Sequence, residues 1–303
     1  MRWSLAHDPG PLPRLFRVLW PFWFLRDHMR EGRSWVMQLP PAADPPAAQA
    51  GAELAWTALA AALDVGDDAA ATAASRRLGR LLPGIEDPLL RAVSHLAMAW
   101  YAPLAGDFGA ALRAAATSLE QLRGLDEPFW TAMAVGSLGT VEKVLARYDD
   151  ALGHLREARD LGDRFGSTWL SAWSRVQLGT VSILRGDLRQ AREVLDQALE
   201  LSVAARSTDG MTLCLAAYAQ LAFAEGDPAR SALLAGAAEG LRRRAGLRVW
   251  PTLRPGEEEL MTQVRQTLGA ERFDQAFSAR AGLTQQQAVA IVRDQRRTGT
   301  QTP

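Results

Sequence analysis

The chain has 303 residues, which is enough for two ordinary domains or for one stack of repeats with a large core. Its 34 Lys and Arg residues balance 34 Asp and Glu, so the basic footprint of a nucleic-acid-binding protein is missing and no direct nucleic-acid partner is expected. The single cysteine, Cys214, excludes an internal disulfide or a site built on cysteine pairs, which fits the reducing cytoplasm.

The first predicted element is an atypical hairpin, Pro13–His28 followed by Met29–Gln38, with many aromatic side chains. Its most apolar stretch, residues 15–25, carries Arg17 and is shorter than the ~20 residues that span a bilayer, so no membrane partner is expected. A proline-rich linker follows at 39–46 and closes a first region, 1–46. Aromatic side chains exposed on this hairpin would leave self-association open.

Residues 47–245 carry a repeat with a period of 40 residues. Helix-breaking steps fall at Gly66, Gly106, Ala146, Gly186 and Gly226, and a small side chain follows each of them at Ala71, Ala111, Ala151, Ala191 and Ser231. Self-similarity at 20–50 residues is the mark of a stacked-repeat protein. The sequence therefore predicts a solenoid of helical hairpins.

The fourth repeat shows how one hairpin is built. Apolar residues at helical spacing predict a first helix over Trp169–Leu184, after which Gly186 supplies a left-handed cap and Asp187 starts the second helix. The Gly-Asp pair recurs at every step except Ala146-Arg147, so this turn is predicted to be the least well capped. The start of the next hairpin keeps the same period, with capping residues at Asp87, Glu127, Ser167 and Ser207.

The region 246–294 is predicted to form a C-terminal helical cap. Helices are expected over 257–268 and 271–279, and a third starts at Thr284, which forms a capping box with Gln287. The tail, 295–303, is predicted to be disordered. No segment has the pattern of a strand, so the predicted class is all-α.

Inside the repeats, residue types recur at offsets that resemble the tetratricopeptide repeat. The Leu-Gly pair of that repeat occurs here as Leu138-Gly139 and Leu178-Gly179. Its aromatic or bulky residue occurs as Phe108, Tyr148 and Leu188, and its late alanine as Ala158, Ala198 and Ala238. The period departs from the usual length of about 34 residues, and Val135 and Arg175 stand where the family has tryptophan. The resemblance covers 54–241 and implies an all-α, tetratricopeptide-like superhelical solenoid.

The flanks, LFRVLWPFWFLRDHMREGRSW at Leu15–Trp35 and Ser231–Val292, resemble the C-terminal helical half of large bacterial ATP-dependent LuxR-type transcriptional regulators. In that family the repeats sense an inducer or a partner beside a signal-transduction ATPase. The resemblance implies a protein or peptide partner or a small-molecule inducer, in signal transduction or transcriptional regulation. Because the chain lacks GxxxxGK[ST] and a recognisable helix-turn-helix, neither ATPase activity nor DNA binding carries over. A detached or truncated half that acts with a separate ATPase is the alternative.

The residues with catalytic potential do not form a recognisable constellation in the sequence. Asp67-Asp68 and Asp149-Asp150 do not continue as a multi-carboxylate motif, and they suit helix starts. The four histidines lack partners at metal-ligand spacing. The cluster Arg242–Arg244 suits a solvated helix C-terminus. We therefore expect no catalytic residue, cofactor or metal, and an all-helical enzyme is the least favoured alternative.

The candidate binding surface lies on the first helix of each hairpin, which lines the concave face of tetratricopeptide solenoids. Helical register places eight residues inward: Trp100, Met133, Ser137, Thr140, Trp173, Gln177, Thr180 and Gln220. Two interpretations remain open. The aromatic side chains either fill the grooves between repeats, or anchor a peptide or small ligand that the hydroxyl and amide groups orient.

Overall fold

The computed structural model describes residues 10–25, 28–36, 48–279 and 282–299, together with His7 and Gln38. These residues contain 15 α-helices and two short 3-10 turns, and no strand. The predicted linker at 39–46 lies outside the described residues. The helices are α1 Leu12–Leu25, α2 Met29–Val36, α3 Ala48–Val65, α4 Asp68–Leu81, α5 Pro88–Tyr101, α6 Phe108–Arg123, α7 Pro128–Val144, α8 Tyr148–Arg164, α9 Thr168–Leu184, α10 Leu188–Ala204, α11 Thr208–Ala224, α12 Pro228–Ala245, α13 Arg254–Leu268, α14 Ala270–Ala279 and α15 Gln285–Gly299.

The chain divides by its internal contacts into two compact units. Unit 1 comprises residues up to 161 together with 250–252, and unit 2 comprises 162–249 and 253 onward. Each unit consists of helical hairpins, so the all-α prediction is confirmed. The helix predicted over Trp169–Leu184 is α9, which begins one residue earlier. Within the described part of the chain, no helix combines the length and hydrophobicity needed to cross a bilayer.

The turn inside each hairpin has the predicted left-handed cap. Gly186 has φ +81°, and the side chain of Asp187 accepts a hydrogen bond from the amide of Gln190 at 3.0 Å. Ala146 adopts the same backbone conformation, with φ +58°. Arg147 has no acceptor atom with which to cap α8, and its Nη2 instead pairs with Asp150 Oδ2 at 2.8 Å. The backbone of this turn is therefore regular, while its residues are poorly suited to it.

Small residues allow the two helices of a hairpin to approach closely. A methyl group added at Gly139 would lie 2.8 Å from Leu155 Cγ, and one at Gly179 would lie 2.7 Å from Leu195 Cγ. Both distances are far below van der Waals contact. The predicted small positions are all fully buried: Ala71, Ala111, Ala151, Ala191 and Ser231.

The first hairpin is tied to the repeats by a buried ion cluster. Arg17 Nη2 in α1 lies 3.3 Å from Asp87 Oδ2 and 3.7 Å from Glu53 Oε1 in α3. Burial raises the pKa of Glu53, and the charge of Arg17 opposes that shift. Trp20 and Trp23 are buried in this hairpin.

The C-terminal helices are present, with small differences in their bounds. α13 begins at Arg254, before the predicted start at residue 257, because a proline at its second position suits a helix N-terminus. The capping box is confirmed: Thr284 N donates to Gln287 Oε1 at 2.9 Å, and Gln287 N donates to Thr284 Oγ1 at 3.3 Å. α15 continues to Gly299, past the predicted end of the C-terminal cap at residue 294, and the disorder of the tail, 295–303, stays a prediction. Residues 300–303 lie outside the described residues.

The left-handed turn at Ala146 generates a stability prediction. Replacing Ala146 by Gly should stabilise the protein by about 1 kcal/mol, because a β-carbon is disfavoured at positive φ. The measurement is the midpoint of thermal unfolding, together with amide exchange at residues 145–150.

Gly186→Ala is the matched control, since it places alanine in the sister turn. It should lower the midpoint by a similar amount. An Ala146→Gly variant that is less stable than the natural chain would contradict the assignment of strain to this turn.

Candidate binding site

The four candidate residues of unit 1 are buried and belong to its core. Trp100 Nε1 donates a hydrogen bond to Ser137 Oγ at 3.0 Å. The ring of Trp250 packs against Trp100 edge-on, with centroids 5.8 Å apart. Thr140 donates its hydroxyl to the carbonyl of Gly136 at 2.8 Å. The structure thus brings Trp100 and Ser137 into contact and buries both of them.

The candidate residues of unit 2 include the two members of the set that are not buried. Trp173 in α9 and Gln220 in α11 are half-buried, whereas Gln177 and Thr180 are buried. Thr180 donates its hydroxyl to the Gln177 carbonyl at 2.8 Å, so this donor is already engaged. Within the predicted surface, the side chains that a partner could contact are those of Trp173 and Gln220.

Trp173 lies on a second tryptophan whose orientation is fixed. The rings of Trp169 and Trp173 stack at 5.6 Å with an interplanar angle of 14°. Trp169 Nε1 donates to Asp209 Oδ2 at 3.1 Å, which satisfies the indole N–H and joins α9 to α11. We call Trp169, Trp173 and Asp209 the tryptophan platform.

The contribution of Asp209 was not predicted from sequence. A signal for it exists, because Trp169 and Asp209 are 40 residues apart and therefore occupy equivalent positions in consecutive repeats. An aromatic donor and a carboxylate at the same position of neighbouring hairpins face each other once the hairpins stack.

Three titratable residues that could support catalysis are paired or buried. His154 Nδ1 lies 2.7 Å from Oε2 of the buried Glu142. Burial, with a smaller effect from Arg91, lowers the pKa of His95. Burial raises the pKa of Cys214 to about 12. In the part of the chain that the structure describes, no three His, Cys, Asp or Glu side chains lie close enough together to hold a metal ion.

The cationic cluster at the end of α12 differs from its sequence interpretation. Arg242 is buried, and its two Nη atoms donate to the carboxylate oxygens of Glu257 at 2.8 Å each. The interpretation of Arg242–Arg244 as a wholly solvated terminus is therefore wrong for Arg242. Its fork-shaped guanidinium joins α12 to α13, an interaction suited to arginine.

Comparison with known proteins supports the architecture. Residues 130–204, which run from α7 to α10, match the family model of the tetratricopeptide repeat. No curated protein sequence matches the chain. The fold is similar to that of a Rap protein complexed with Competence and Sporulation Factor, with a TM-score of 0.58 and 14% identity over 92% of this chain and 71% of that one.

Two further solved structures have a similar fold. Aspartyl phosphate phosphatase F from Bacillus subtilis has a TM-score of 0.54 at 12% identity, over 81% of this chain and 69% of that one. A STAND protein (Signal Transduction ATPase with Numerous Domains) with a tetratricopeptide repeat sensor, from Pyrococcus horikoshii, has a TM-score of 0.51 at 15% identity, over 83% of this chain and 41% of that one. At these identities the similarity establishes the tetratricopeptide-like helical fold, which confirms the predicted fold class.

The buried pair in unit 1 generates a prediction on stability. Ser137→Ala should destabilise the protein by about 1–3 kcal/mol, because it leaves the Trp100 indole N–H without a partner in the core. The measurement is denaturant unfolding of Ser137→Ala, Trp100→Phe and the double variant. The double variant should be less destabilised than the sum of the two single variants, and additive effects would show that the hydrogen bond contributes nothing.

Cys214 generates a second prediction, on thiol reactivity. With a pKa of about 12, about one thiol in 10,000 is ionised at pH 8, and the thiolate is the reactive form. A chromogenic disulfide reagent should therefore leave folded protein unmodified over a time in which urea-unfolded protein reacts fully. Rapid modification of folded protein, with circular dichroism unchanged, would contradict the burial of this side chain.

Proposed function

We propose that this chain is a non-catalytic interaction module that binds a protein or peptide partner on helices α9 and α11. The observation that carries the proposal is the tryptophan platform. Its outer ring, Trp173, is half-buried, and its inner ring is held in place by Asp209.

The platform has the physical properties of a binding anchor. Large aromatic side chains in preorganised positions supply much of the energy of protein interfaces. Trp173 stacks on Trp169, which is itself held by a hydrogen bond to Asp209. Trp173 therefore has little conformational freedom to lose when a partner side chain covers it. The platform is therefore suited to an apolar or aromatic side chain of the partner.

Gln220 supplies the polar complement in this proposal. Its half-buried amide carries two donors and one acceptor oxygen, which match the backbone groups of an extended peptide. The hydroxyl of Thr180 already donates to a backbone carbonyl. We therefore assign the orientation of the partner to the side-chain amide of Gln220.

We further propose that the module acts in bacterial signal transduction or transcriptional regulation, as a sensor that works with an ATPase. The fold similarity to a STAND protein with a tetratricopeptide repeat sensor supports this role. The sequence flanks, which resemble LuxR-type regulators, support it independently. A partner protein is the primary expectation here, and a small-molecule inducer is the secondary one.

A catalytic role is the less favoured alternative. One structural neighbour is named a phosphatase. In this chain, however, the Cys214 thiol is buried and His154 is held by Glu142. Hydrolysis of acetyl phosphate by the purified chain would favour the enzyme over the interaction module.

The proposal predicts the effect of removing the outer ring of the platform. Peptides selected from a displayed library on the natural chain should bind Trp173→Ala at least about tenfold more weakly, because truncation of a hot-spot aromatic commonly costs 2 kcal/mol or more. The measurement is the dissociation constant from calorimetry, alongside the midpoint of thermal unfolding.

Phe165→Ala is the matched control, since Phe165 is an aromatic residue of unit 2 with 38% of its surface exposed and lies outside the predicted surface. It should leave affinity unchanged. Selected peptides that bind Trp173→Ala as tightly as the natural chain would place the interaction elsewhere.

A further inference from the structure

Unit 2 contains a cleft that is separate from the tryptophan platform. It has a volume of about 540 Å³ and lies between the end of α10, the start of α11 and one side of α15. This volume is within the range of about 300–1,000 Å³ that is usual for small-molecule sites. The residues that line it are Val203, Arg206, Met211, Gln285, Gln286, Val289, Ala290 and Arg293.

We propose that this cleft binds a ligand with a carboxylate group on an apolar body. The apolar part of the lining is partly buried in the core, since Met211 and Val289 are 3% and 6% exposed. The polar part is cationic or neutral: the eight lining residues include two arginines and no acidic side chain. An apolar surface beside an uncompensated positive charge suits a monoanionic amphiphile.

Arg206 carries the charge that would bind the carboxylate. The guanidinium of Arg293 is already paired with Glu200 Oε2 at 3.0 Å. The side chain of Arg206 is exposed, and it forms no hydrogen bond or ion pair with the residues described by the structure. A guanidinium binds a planar carboxylate through two parallel N–H···O bonds. The single positive charge of this guanidinium balances the charge of one carboxylate, whereas a dianionic phosphate would keep one negative charge unbalanced.

The backbone at Arg206 gives an independent reason to assign a role to its side chain. Arg206 has φ +53°, and the residues 40 positions before and after it are glycines in the same conformation, Gly166 at +67° and Gly246 at +69°. The turn itself is regular, with Arg206 N donating to Val203 O at 3.0 Å. Glycine would be the more stable residue in this conformation. A strained arginine that lines a cleft indicates that the side chain contributes something other than stability.

The same geometry indicates what the ligand would do to the protein. α15 forms one wall of the cleft and is joined to the repeats by two polar contacts beside it, Arg293 with Glu200 and Gln285 Nε2 with Thr208 Oγ1 at 2.7 Å. A ligand held between Arg206 and Val289 would add a further connection between α15 and the repeats. Binding would therefore stabilise the docking of the C-terminal helix.

The test uses decanoate as the probe and decanamide as its neutral counterpart. Calorimetry on the full chain should show that decanoate binds at least about tenfold more tightly than decanamide, because charge-assisted hydrogen bonds are the stronger ones. Equal affinities, or no binding of decanoate at millimolar concentration, would overturn the proposal.

The variants Arg206→Gly and Arg206→Asn separate binding from stability. Both residues tolerate positive φ, so both variants should fold, and Arg206→Gly should have a higher midpoint of unfolding than the natural chain. Both should lose about tenfold or more in affinity for decanoate. If Arg206 served the turn alone, Arg206→Gly would raise the midpoint of unfolding without weakening the binding of decanoate.

Ala146→Gly is the matched control, because it relieves the same kind of strain in unit 1. It should bind decanoate as the natural chain does. If Arg206→Gly kept full affinity for decanoate, the assignment of Arg206 as the binding residue would be wrong. Peptide affinity at the tryptophan platform is a separate measurement, so failure of this proposal leaves that one unaffected.

Discussion

The structure depends on the close approach of the two helices in each hairpin. At Gly139 against Leu155, and again at Gly179 against Leu195, the helices are so near that even one methyl group does not fit. This contact fixes where the helices cross. The position of the left-handed turn follows, because the chain must reverse at a set distance from the crossing point. The repeats keep a constant period because successive hairpins preserve this packing.

Much of this architecture could be predicted because it rests on local chemistry. A glycine before an aspartate, as at Gly186-Asp187, specifies a left-handed cap and an N-cap whatever the surroundings. The capping box of Thr284 and Gln287 is equally local. Helix bounds derived from such residues agree with the structure to within a few positions.

The binding surfaces were less predictable, because they depend on contacts that do not follow the repeat. Trp250 covers Trp100 from a position far along the chain, outside the repeated pattern. Helical register alone could not distinguish the buried Trp100 from the half-exposed Trp173. The cleft is formed by α15, whose place against the end of α10 and start of α11 is set by tertiary packing. Arg206 stands where the equivalent turns have Gly166 and Gly246, so its only sequence signal is an arginine at a glycine position of the repeat.

The ion cluster of the first hairpin has a consequence for how the stack of repeats comes apart. Asp87 caps α5 by accepting from Leu89 N and Leu90 N through Oδ1, while its Oδ2 receives Arg17 from α1. In repeat proteins each hairpin contacts only its neighbours, so one hairpin can open without the others. Here the first hairpin and the start of α5 share one carboxylate. Detachment of α1 and opening of the first turn of α5 are therefore coupled.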